Sequence, residues 1–135
     1  MNMNVHKKSL LIIEDHDSIR LLLGNMLSKH YRVATMKDGV EGMAWLVRGN
    51  MPDLILLDMS MPRLSGDEFL KNIRQSGFFR DIPVIVVSGN DGDEDIKKCL
   101  KWGVSDYFTK PFNPIDLKKK ISKTLASKER QLVLN

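Results

Sequence analysis

Leu54-Ile55-Leu56-Leu57-Asp58 decides the fold. Four large aliphatic residues in a row, entered from Pro52-Asp53, describe a strand buried on both faces, the habit of a parallel sheet. Asp58 closes that strand, and open α/β sheets put their chemistry in the crevice beyond the carboxyl ends of the strands. Other runs end alike. Leu10-Leu11-Ile12-Ile13 leads into Glu14-Asp15, and Val84-Ile85-Val86-Val87 leads into Ser88-Gly89. Asp106-Tyr107-Phe108-Thr109 delivers Lys110 just before Pro111. Three carboxylates, a hydroxyl and a lysine are thereby expected at one edge of one sheet.

Between these runs the pattern turns helical. The first strand covers 9–14. Ile19, Leu22, Leu23, Met26 and Leu27 then form an i, i+3, i+4, i+7, i+8 stripe, with Asp17 or Ser18 as N-cap. Arg32-Val33-Ala34-Thr35 makes a short second strand, and Asp38-Gly39 marks the turn after it. Residues 40–48 read as a helix facing inward with Met43, Leu46 and Val47. A loop containing Pro62 and Gly66 follows the Asp58 strand, and a helix over 66–74 carries Phe69, Leu70 and Ile73. Asn90-Asp91-Gly92-Asp93 opens a helix through Ile96 and Leu100 to Trp102, where Gly103 gives a left-handed stop. The fifth strand and a lysine-rich helix complete five βα units, which predicts an α/β protein with helices on both faces of a parallel sheet.

One domain accounts for the 135 residues. Its expected limits are a flank over 1–8, the domain over 9–127, and a tail or the start of a linker over 128–135. Whether the chain stands alone or belongs to a longer protein is left open. Apolar content of 42% with 28% charged residues is ordinary for a globular protein. No apolar stretch approaches the roughly 20 residues of a membrane span. The start carries no signal-peptide cleavage pattern, so a cytoplasmic location is the expectation. Cys99 is the one cysteine, which excludes an internal disulfide. The net charge of +4 gathers near the C-terminus, in Lys118, Lys119, Lys120, Lys123, Lys128 and Arg130. Leu117, Ile121 and Leu125 recur every fourth residue there, so these cations form the wet side of an amphipathic helix rather than a nucleic-acid surface.

Carboxylates within about 4 Å of each other repel by roughly 4 kcal/mol per pair at an effective dielectric of ~20. A hard divalent cation relieves that repulsion, and Mg2+ is typically held by one or two carboxylates, waters and a phosphate. Lys110 supplies a point charge suited to a phosphoryl oxygen. Ser88 can donate a hydrogen bond, and Gly89 lets backbone approach closely. Nucleophile, metal and donors for the equatorial oxygens are what phosphoryl transfer needs. His16, beside the acidic pair, reads as a surface loop residue, because Mg2+ prefers oxygen. Cys99 reads as a small packed residue.

Four segments in order resemble the receiver domains of two-component response regulators: Ile12-Ile13-Glu14-Asp15, Leu56-Leu57-Asp58-Met59-Ser60-Met61-Pro62, Val86-Val87-Ser88-Gly89 and Asp106-Tyr107-Phe108-Thr109-Lys110-Pro111-Phe112. The resemblance spans about residues 8–127. It implies a flavodoxin-like, doubly wound sheet of five parallel strands in the order 2-1-3-4-5 with five helices. It implies that Asp58 accepts a phosphoryl group from a sensor histidine kinase or phosphotransfer protein. Asp15, Asp58 and the Ser60 backbone carbonyl would bind Mg2+, with Glu14 acting largely through water. Ser88, the Gly89 amide and Lys110 would hold the phosphoryl group. Ser88 and Tyr107 would form the switch, and Ser60 and Asn90 occupy positions that tune autodephosphorylation. The Lys110–Pro111 bond would be cis.

The resemblance implies a signalling switch, not a turnover enzyme. Its output face would comprise residues near 95–102, 105–107 and 113–123, from the fourth helix, fifth strand and fifth helix, with Trp102 lining it. That face would meet an output domain, a downstream protein or a second copy in a homodimer, with no direct contact to nucleic acid or membrane. Two rivals stand beside it. A phosphatase of the haloacid dehalogenase type also places a nucleophilic Asp after a buried strand, but needs a carboxylate two residues on, where this chain has Ser60. A docking module that has lost phosphotransfer would not need Asp58, Asp15, Ser88 and Lys110 intact.

Overall fold

A computed structural model describes residues 7–134, and of 132–134 the backbone only. Five strands alternate with five helices: β1 (Ser9–Ile13), α1 (Asp17–Leu27), β2 (Arg32–Met36), α2 (Gly39–Val47), β3 (Leu54–Leu57), α3 (Gly66–Arg74), β4 (Val84–Ser88), α4 (Asp93–Lys101), β5 (Asp106–Thr109) and α5 (Pro114–Leu134). All strand pairs are parallel and the sheet order is β2-β1-β3-β4-β5, as the resemblance implied.

Successive side chains of a strand point to opposite faces, and the two faces here are both apolar. Leu11, Ile13, Ile55, Leu57, Val84 and Val86 pack with Leu46, Phe69, Leu70, Ile73 and Cys99 from α2, α3 and α4. Leu10, Ile12, Leu54, Leu56, Ile85 and Val87 pack with Leu23, Leu27, Leu117, Ile121 and Leu125 from α1 and α5. That double burial is why the three central strands read as unbroken aliphatic runs. Gly103 takes φ +69 at the end of α4, the left-handed stop expected of it.

The structure corrects several local expectations. β1 ends at Ile13, and α1 is capped by the backbone of His16, with Asp17 already its first residue. Arg20 braces this turn: it pairs with Asp17 at 2.6 Å and donates to the Glu14 carbonyl at 2.9 Å. Leu22 and Val47 are more than half exposed, although the stripe pattern turned them inward. Each lies one residue from a buried leucine, about 100° around the helix and outside a narrow contact line. α5 runs on to Leu134, through the segment expected as a tail or linker. No glycine or proline follows Pro114 to break it, and Lys8 of the flank pairs with Glu129 at 2.7 Å. Residues 1–6 of the expected flank and Asn135 lie outside the described residues.

Candidate functional site

The sheet ladder continues one residue past the strands and so positions the polar residues. The Glu14 amide donates to Met36, that of Asp58 to Ile13 and that of Lys110 to Ser88, at 2.8–3.0 Å. Glu14, Asp58 and Ser88 are therefore as buried as the aliphatics before them. The order reversal between β1 and β3 opens the crevice they line, where α/β sheets bind ligands. The lysine reaches in from β5 through a cis Lys110–Pro111 bond.

Glu14, Asp15, His16 and Asp58 each bring one potential ligand atom within 4.8 Å of the others. Asp58 Oδ1 accepts the Ser60 amide at 3.2 Å. Asp58 Oδ2 and Asp15 Oδ1 are buried and have no hydrogen-bond partner among the described residues. Burial, the Asp15 carboxyl beside it and the charge of Glu14 push the Asp58 carboxyl up to about 7, against the opposing pull of Lys110. Oxygen donors that are buried, mutually repelling and unpartnered fit a divalent cation, and the cluster could hold one.

Lys110 Nζ lies 2.8 Å from Glu14 Oε1 and 3.7 Å from Asp58 Oδ2, so its closest partner is Glu14. Direct pairing of Glu14 with Lys110 is an interaction the sequence did not announce. Ser88 Oγ accepts the Asn90 amide at 3.3 Å. Asn90 Nδ2 donates to Ser60 Oγ at 3.0 Å, so the two residues expected to tune autodephosphorylation touch across the crevice. Tyr107 is half-buried, and its hydroxyl donates to the Asn90 carbonyl. A Cβ at Gly89 would meet no protein atom, so packing alone does not require glycine there. Trp102 turns toward α3, where its indole N–H donates to Asp67 at 3.2 Å. It also packs, partly buried, on the core cluster.

Three residues hold the loop after β3, of which Asp38 and Gly66 read only as turn and loop residues and Arg63 gave no signal. Arg63 takes φ +70 and binds Asp38 Oδ2 through Nε at 3.0 Å and Nη2 at 2.7 Å. Asp38 Oδ1 caps α2 by accepting the Glu41 amide at 2.9 Å. A Cβ on Gly66 would lie 2.6 Å from Met59 Cα, so only glycine lets α3 begin directly behind Asp58. The spacing of Asp38 and Glu41 is a capping signal legible in sequence. The reach of Arg63 over 25 positions is not. An apolar groove of about 420 Å³ between Leu46, Met51, Phe78 and Phe79 lies before β3 and β4, at the other end of the sheet.

The family model for the response regulator receiver domain matches residues 10–122. The chain belongs to this family. It is 37% identical over 133 residues to hybrid signal transduction histidine kinase D of Dictyostelium discoideum, of which it spans 8%. A chemotaxis protein CheY homolog of Campylobacter jejuni is 31% identical over 120 residues, covering 87% of this chain and 92% of that one. Among solved structures, the receiver domain of sensor histidine kinase PA1611 from Pseudomonas aeruginosa PAO1 superposes with a TM-score of 0.80 at 27% identity, covering 89% of this chain and 98% of that one. That receiver domain coordinates a magnesium ion in its active-site cleft. This receiver domain is thus a phosphorylatable signalling switch of two-component systems rather than a turnover enzyme. The dehalogenase-type reading is removed.

Proposed function

We propose that this receiver accepts a phosphoryl group on Asp58 from the phosphohistidine of a sensor kinase or phosphotransfer protein, in a Mg2+-dependent reaction. The observation that carries the reading is the pair of buried, unpartnered carboxylate oxygens on Asp15 and Asp58 beside a lysine. An oxygen of Asp58 attacks phosphorus, the P–N bond breaks, the imidazole leaves, and an acyl phosphate forms. Asp15, Asp58 and the Ser60 carbonyl would hold Mg2+, with Glu14 in support. Bound there, the ion would offset carboxylate repulsion and help neutralise the transferring phosphoryl group. Lys110 is drawn from Glu14 to the incoming phosphoryl oxygens, and the Ser88 hydroxyl and Gly89 amide donate to them.

The new charge then rebalances the β4–α4 loop. Ser88, Asn90 and Tyr107 already share hydrogen bonds in that loop, so a pull on the serine reaches β5 through the tyrosine. The readout is a changed α4–β5–α5 surface, presented in the cytoplasm to an output domain, a downstream protein or a second copy of the chain. No described helix is long and apolar enough to cross a membrane. Intact mass after incubation with acetyl phosphate tests the reading. A single Mg2+-dependent phosphoryl adduct, lost in Asp58→Asn, is expected. A folded protein that takes up no phosphoryl group would instead be a docking module.

A further inference from the structure

We propose that His16 is a nitrogen ligand of the cation site and tilts its selectivity from Mg2+ toward Mn2+ and later transition metals. The proposal rests on the cation-binding reading of the same cluster and adds a donor to it. The His16 ring is 65% exposed, as a loop residue should be, yet it does not point away from the carboxylates. Its Nδ1 lies 3.4 Å from Glu14 Oε2 and 3.4 Å from Asp15 Oδ1. The second of these oxygens is one of the two buried atoms without a hydrogen-bond partner. The other is Oδ2 of Asp58, whose side chain is almost wholly buried and belongs to the same cluster.

Neighbouring donors about 2.1 Å from one octahedral cation stand about 3.0 Å apart. The imidazole nitrogen, 3.4 Å from both carboxylates, is therefore a few tenths of an ångström from co-ligand spacing, a gap that a small ring rotation closes. Its backbone holds it there: the His16 amide donates to Glu14 Oε2 at 3.1 Å, and its carbonyl accepts the Arg20 amide as the first bond of α1. Any side chain at 16 keeps those bonds, so replacing the imidazole changes the donor set and little else. Mg2+ takes oxygen ligands and gains little from the nitrogen. Affinity for imidazole rises from Mn2+ along the first transition row.

The test compares Mg2+ and Mn2+ affinities of the full chain and of His16→Ala by calorimetry, with echo-envelope EPR on the Mn2+ complexes. His16→Ala is expected to weaken Mn2+ by roughly tenfold or more while leaving Mg2+ within about twofold. The wild-type complex should also show a nitrogen modulation that the variant lacks. Equal changes for both ions with no nitrogen modulation would overturn the proposal and leave an oxygen-only site standing. A rise in affinity for both ions would overturn it too, exposing His16 as a competing surface cation. If neither ion binds, or binding survives in Asp58→Asn combined with Asp15→Asn, the cation site itself fails and the proposal with it.

Discussion

Asp38 and Asp58 are equally buried, at 3% and 2% exposure, yet they stand in opposite electrostatic states. Asp38 closes the turn into α2. Burial pushes its carboxyl up, but the Glu41 amide and the Arg63 guanidinium together outweigh that and hold it below the usual range. Asp58 closes β3. Burial acts on it in the same direction, its neighbours Asp15 and Glu14 reinforce it, and Lys110 only partly answers them. Both oxygens of Asp38 have donors, whereas one oxygen of Asp58 has none. A buried carboxylate serving structure is satisfied by the chain itself. One held ready for an outside ligand is left short of partners, at a cost in stability.

The largest expected effect comes from relieving that shortage. Asp58→Asn in the absence of divalent cation should stabilise the protein at pH 8 by up to roughly 4 kcal/mol, given a shift of about three pH units. The folded-state value is raised above the unfolded one, so the native state holds the proton more tightly. Stability from this group therefore falls as pH rises from about 4 to about 7 and stays low above that. The advantage of Asp58→Asn should appear across that window and vanish at pH 4. Urea unfolding at several pH values reads it, and a variant no more stable than wild type at pH 8 would show the carboxylates to be satisfied after all.

Asp38→Ala should move stability the other way, by about 2 kcal/mol at pH 7, from a lost cap and a lost charged hydrogen bond. The Asp38 value is depressed, so its stabilisation is present above the unfolded value near 4 and is lost as pH falls through the folded one. The two aspartates thus predict pH profiles of opposite slope in separate windows. Parallel profiles would collapse the distinction between them.

The sequence revealed one side of this contrast better than the other. Strand and helix placement and the convergence of Glu14, Asp58 and Ser88 were legible because each of these three residues closes an apolar run buried on both faces, whereas Lys110 follows the half-polar edge strand β5. The resemblance supplied the order and the roles. Asp38 read only as a turn residue, because its partner Arg63 lies 25 positions on and no local pattern joins them. Leu22 and Val47 were misplaced for a related reason. Periodicity gives the direction of a helix face, while the width of the contact depends on the neighbours it meets.

Arg63 gives the smallest and sharpest test. Its φ of +70 is unfavourable for a residue with a Cβ, by about 1 kcal/mol relative to glycine. The loop keeps that conformation while the guanidinium is bound to Asp38, and Leu64 packs close over Gly39 just beyond. Arg63→Ala removes the ion pair and keeps the strain; Arg63→Gly removes both. The glycine variant should therefore be the more stable of the two by about 1 kcal/mol, less whatever extra freedom glycine gives the unfolded chain. Equal stabilities would mean that the loop abandons the positive φ once the ion pair is gone. In that case the Asp38 clip, and not the local turn, sets the path of the chain from Asp58 to α3.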